Sequence, residues 1–152
     1  MEIFNAIRSE EANLVQEELN ADKKVINQRN RGGYTPLILA SYLGQKFITK
    51  LILAAKPNVD AQDNSGNTAL MGVCYKGYHD IANLLIKAGA DVNAINYNGA
   101  TPLTYAATFN NPDIIKLLLD NGANAAIKDN RGLTPLDHAK AQDLKDIVIL
   151  LQ

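Results

Sequence analysis

The chain predicts an all-α solenoid: helical units stacked side by side, with no sheet to hold them. Thr35, Thr68, Thr101 and Thr134 recur at a constant spacing of 33 residues. Each sits in nearly the same phrase: Gly33-Tyr-Thr-Pro-Leu, Gly66-Asn-Thr-Ala-Leu, Gly99-Ala-Thr-Pro-Leu and Gly132-Leu-Thr-Pro-Leu. Self-similarity at a period of this size marks units that bury their apolar faces on one another. Behind each phrase a short segment of small residues is followed by a greasier one. The expectation is an elongated stack of about five helix pairs, with short β-hairpin-like turns between them.

The elements follow in order within each unit. A turn comes first: Asn30-Arg-Gly-Gly33, Asp63-Asn-Ser-Gly66, Asn96-Tyr-Asn-Gly99 and Asp129-Asn-Arg-Gly132. Asp or Asn can accept from the backbone two residues on, and the closing Gly enters positive φ freely. Thr then caps a helix whose first residue is Pro, where the missing N–H is harmless. Ala69 replaces that Pro in one unit. The first helix carries small residues (Ala40 and Ser41, Gly72 and Val73, Ala106 and Ala107, Ala139), which let neighbouring units approach closely. The second helix is apolar: Ile48, Leu51, Ile52 and Leu53, then Ile81, Leu84, Leu85 and Ile86, then Ile114, Leu117, Leu118 and Leu119. Gly89 and Gly122 are suited to end it.

With 152 residues and 47% hydrophobic content, the chain has the size and composition of one folded domain. A formal net charge of −1 gives no general attraction to nucleic acid or anionic membrane. Charge is unevenly spread, however. Glu2, Glu10, Glu11, Glu17, Glu18 and Asp22 face Arg8 alone, whereas Lys23, Lys24, Arg29, Arg31, Lys46, Lys50 and Lys56 follow with no acid among them. That asymmetry reads as a solvated surface of mixed sign. Cys74 is the single cysteine, so no disulfide forms within the chain. The opening residues do not resemble a signal peptide, and runs such as Leu51-Ile-Leu-Ala-Ala are too short to span a bilayer. The expected setting is a reducing one, the cytoplasm.

The Gly-x-Thr-Pro-Leu openings, the Leu-Leu runs and Gly89-Ala-Asp-Val-Asn93 closely resemble the ankyrin repeat. The resemblance covers practically the whole chain. It implies a single domain over 1–152, with a degenerate capping repeat at 1–29, full repeats at 30–62, 63–95 and 96–128, and a closing repeat at 129–152. Ile3, Phe4, Ile7, Leu14, Val15 and Leu19 give the first cap its apolar face, and Leu144-Lys-Asp-Ile-Val-Ile-Leu-Leu151 supplies the last helix. Two departures matter. The His that usually follows Thr-Pro-Leu is replaced by Ile38, Met71, Thr104 and Asp137, so its hydrogen-bond relay should be missing. Lys56-Pro57 stands where Gly-Ala is expected, and Pro biases its predecessor toward extended backbone. The helix before Lys56 should therefore end differently from those closed by Gly89 and Gly122.

Chemistry is scarce. His79, expected in the loop between helices, and His138 lie in different repeats without a partner at metal-ligand spacing. Cys74 reads as a small buried thiol, and neither a glycine-rich phosphate loop nor a Walker lysine is present. No catalytic residue, cofactor or metal is expected. The resemblance implies binding instead, through turn tips and the exposed end of the first helix. The corresponding residues are Tyr34, Tyr42, Leu43, Asn67, Tyr75, Lys76, Tyr97, Thr108 and Phe109. Aromatic rings supply much contact area at small entropic cost. Tyr42 and Tyr75, one period apart, should be neighbours, and bracing the stack is their alternative role. Near-complete burial of these rings would remove the interface reading. The expected function is a protein–protein interaction module, monomeric by itself. Regulation of an enzyme partner is the alternative, and catalysis, nucleic acid, membrane and small-molecule substrates are disfavoured.

Overall fold

The computed structural model describes residues 2–152. Among them are ten α-helices and no strand. They pair along the chain: α1 (Glu2–Arg8) with α2 (Ala12–Ala21), α3 (Pro36–Tyr42) with α4 (Lys46–Ala54), and α5 (Ala69–Lys76) with α6 (His79–Lys87). The remaining pairs are α7 (Pro102–Thr108) with α8 (Pro112–Asp120) and α9 (Pro135–Ala141) with α10 (Lys145–Leu151). From α3 onward both members of each pair start 33 residues after their counterparts. First helices pack on first helices throughout, while second helices meet their counterparts more lightly.

The turns form by the expected chemistry, four times over. Oδ1 of Asn30, Asp63, Asn96 and Asp129 each accepts two backbone N–H groups, two and four residues on, at 2.8–3.0 Å. Thr35, Thr68, Thr101 and Thr134 then accept from the backbone N–H three residues on, at 3.2–3.3 Å. Thr104 and Asp137 reciprocate by accepting from the cap's own N–H. Two positions vacated by the family's His thus close capping boxes within their own repeats.

Links between repeats run through amide side chains and backbone. Asn64 Nδ2 donates to the Arg31 carbonyl and Asn130 Nδ2 to the Tyr97 carbonyl, each at 3.0 Å. Gln62 Nε2 donates to the Ile95 carbonyl at 3.0 Å. A second ladder lies beyond the second helices. There Asn27, Asp60 and Asn93 accept from the backbone N–H of Asn58, Asp91 and Asn124 at 2.8–2.9 Å.

The core is a periodic apolar file. Ala40, Val73, Ala106 and Ala139 are fully buried on the first helices, and Ile48, Ile81, Ile114 and Ile147 are buried on the second. Phe4 and Ile7 of α1 plug one end, with Glu2, Glu10, Glu11 and Glu17 left in solvent. At the other end Lys140 is exposed where Ser41, Cys74 and Ala107 are buried. These two outer faces are thus polar where the inner units pack apolar residues on one another.

The expectation for Lys56 is corrected. Its φ is +59°, left-handed like Gly89 at +97° and Gly122 at +90°. The pull of helix closure explains this, since Lys56 N–H donates to the Leu53 carbonyl at 3.0 Å, as Gly89 does to Ile86 and Gly122 to Leu119. What differs is the next residue. Ala90 and Ala123 return an N–H to the Leu85 and Leu118 carbonyls at 3.0 Å, and Pro57 has none to give.

Candidate functional site

The 33-residue register lays the aromatic residues of the first helices side by side. The Tyr42 and Tyr75 rings are parallel within 1°, their centroids 6.4 Å apart. Phe109 meets Tyr75 edge-on at 4.5 Å. Tyr105 completes the run, stacked on Phe109 at 6.4 Å and edge-on to Tyr75 at 6.5 Å. These separations are those preferred by ring quadrupoles. One continuous aromatic strip therefore crosses α3, α5 and α7.

The strip faces solvent. Tyr34 and Tyr42 are 40% exposed, Tyr75 41%, Phe109 46% and Tyr97 66%, so none meets the condition of near-complete burial. The other residues expected at this face are placed as follows. Leu43 ends α3 and is exposed. Lys76 holds its Nζ 4.9 Å from the Tyr42 ring centroid, a cation–π contact. Asn67 is committed internally, its amide oxygen accepting from Asn96 Nδ2 at 2.8 Å and from the Tyr105 hydroxyl at 3.3 Å. Thr108 is likewise engaged, donating to the Thr104 carbonyl at 2.7 Å. Tyr97 stands apart on its turn, where its backbone joins Ser65 and Asn130.

Beneath the strip, between α3 and α5, lies a cavity of about 240 Å³. Tyr34, Tyr42, Tyr75 and Tyr105 line it together with Asp63, Asn67 and Gly72. Sequence reasoning missed Tyr105, Asp63 and Gly72 as site residues. Tyr105 was detectable, since it lies four residues before Phe109 on one helix face. Asp63 and Gly72 gave no such signal, because each also fits an ordinary turn or small-residue role.

Titratable groups are few. Burial pushes the Tyr105 phenol up, the nearby Asp63 charge adds to this, and the hydrogen bond from Asn96 opposes it. His138 Nε2 lies 2.7 Å from Asp129 Oδ2. Burial alone would raise the Asp129 carboxyl, but hydrogen bonds from His138, Leu133 N–H and Arg131 N–H outweigh it and hold it low. His79 is the first residue of α6 rather than a loop residue, with Nδ1 3.7 Å from Asp80 Oδ1. Cys74 is fully buried and its thiol is pushed up by desolvation. Among the described residues no group of three or more His, Cys, Asp or Glu could hold a metal, and no helix is long and apolar enough to cross a membrane.

Comparison with known families agrees with this architecture. The family description "Ankyrin repeats (3 copies)" matches residues 3–96, and "Ankyrin repeats (many copies)" matches residues 85–139. The chain belongs to the ankyrin-repeat family. A search of curated proteins gives no match. Ankyrin repeats are generally protein–protein interaction modules.

Proposed function

We propose that residues 1–152 act as one protein-binding module that grips its partner with the turn tips and first-helix face. The observation that carries this reading is the strip of exposed Tyr42, Tyr75 and Phe109 rings, backed by the half-buried Tyr105 and flanked by Tyr34 and Tyr97. Rings packed edge to edge have lost much of their freedom before a partner arrives, which lowers the entropic cost of association. They also present the residue types that dominate interface energetics, at roughly 2 kcal/mol or more for a well-buried ring. Leu43 and Lys76 at the first-helix ends extend the same surface.

The second-helix face offers a control. Phe47 on α4 is 64% exposed and is outside the strip. The immobilised protein, a Y75A/F109A variant and an F47S variant are each presented with native lysate, and bound proteins are identified by mass spectrometry. The same proteins should be retained by the parent and by F47S and lost from Y75A/F109A. Capture that survives Y75A/F109A, or that is lost only with F47S, overturns the reading.

A further inference from the structure

In two of the four repeats the turn residue meets the side chain nine residues on. Asp129 Oδ2 lies 2.7 Å from His138 Nε2, and Asn96 Nδ2 donates to the Tyr105 hydroxyl at 3.0 Å. In the first full repeat the residue nine on from Asn30 is Leu39, which is buried. In the second the turn residue is Asp63 and the residue nine on is Gly72. Asp63 is 91% buried by its 9% exposure, its Oδ1 accepts two backbone N–H groups, and its Oδ2 has no hydrogen bond within the chain. The unfilled place is the cavity of about 240 Å³.

Gly72 is there for space. It lies inside α5 without a positive φ to require glycine, although glycine is the worst helix former after proline. A Cβ at this position would come within 3.1 Å of Tyr42 Cδ1. The glycine therefore lets the Tyr42 ring lie against α5 and leaves Asp63 without a lid.

We infer that this cavity receives an arginine side chain of the partner protein, in the place that His138 occupies in the last repeat. The inference rests on the protein-binding reading and names the chemistry of one contact within it. His138 shows which group suits the position, a planar ring with an N–H directed at the carboxylate. A guanidinium is planar too, keeps its charge, and stacks on tyrosine faces. The four tyrosines supply those faces, and Lys76 over Tyr42 shows that one of them already holds a cation.

Amide NMR of the intact protein tests this with N-acetyl-arginine amide, N-acetyl-lysine amide and the uncharged N-acetyl-citrulline amide. Arginine should give saturable shifts centred on Asp63, Ser65 and Gly72, lysine weaker ones, and citrulline none. The D63N variant keeps the turn acceptor that Asn30 and Asn96 provide in their own repeats, so it should remain folded. Loss of the charge-assisted bond should weaken arginine by about ten-fold or more. Equal shifts from citrulline, tighter binding of lysine, unchanged affinity in D63N, or no saturable shift would each overturn the inference. Those results leave face-specific capture of a partner intact, whereas loss of face-specific capture with arginine binding preserved would defeat the wider reading alone.

Discussion

Lys56→Gly should stabilise the protein. Lys56 holds φ at +59°, where Gly stands in the two following repeats. A left-handed conformation costs a residue with a Cβ about 1–2 kcal/mol, and Pro57 behind it restricts Lys56 further. Glycine removes that strain but has about 0.5–1 kcal/mol more chain entropy to lose on folding. The net gain is about 0.5–1 kcal/mol, or about 1–4 °C in Tm for a chain of this size. Pro57→Ala would restore an N–H facing the Ile52 carbonyl, which already accepts from Ala55 at 3.0 Å. That bond contributes about 1 kcal/mol, and loss of the proline's constraint on the unfolded chain offsets about 0.4–1 kcal/mol of it. K56G/P57A should therefore match K56G closely. Urea and thermal unfolding followed by circular dichroism measure both. A neutral or destabilising K56G would show that the left-handed Lys56 is not strained, and the reasoning would fail.

Thr49→Val should raise stability by about 1 kcal/mol, because the fully buried Thr49 Oγ1 has no hydrogen-bond partner; a lower urea midpoint would contradict this. The low-lying Asp129 carboxyl stabilises the fold above the ordinary carboxylate pKa of about 3.9, and this contribution disappears as pH falls through the folded value. The stability gap between the parent and D129N should accordingly begin to close as pH falls below about 5 and go on closing as pH passes through the depressed folded value, and a constant gap would refute the assignment. Cys74 should resist a thiol reagent in the native protein and react on unfolding, since burial suppresses the thiolate; fast native labelling would contradict the packing. Y42A/Y75A should stay folded and lose the captured partner, while a large drop in Tm with unchanged capture would make these rings a brace.

Much of the architecture is local and therefore legible in sequence. Thr at a helix start, Asp or Asn opening a turn and Gly closing it act within four or five residues. Their 33-residue recurrence then fixes which side chains become neighbours. That register alone pairs Tyr42 with Tyr75. Lys56 could not be read correctly, because the return of its N–H to Leu53 outweighs what Pro57 alone would dictate. Tyr97 and Asn67 read alike in sequence, yet one ring is 66% exposed and the other residue's amide oxygen is held by Asn96 and Tyr105.

By itself, the sequence determined the repeat, its periodic core and the face on which the aromatic residues gather. Only the tertiary structure decided that Gly72 leaves a cavity over Asp63. The space over Asp63 exists only because the Tyr42 ring, which lies against Gly72, and the Tyr75 and Tyr105 rings line it without filling it. Whether they do depends on packing between repeats, which no single 33-residue unit contains.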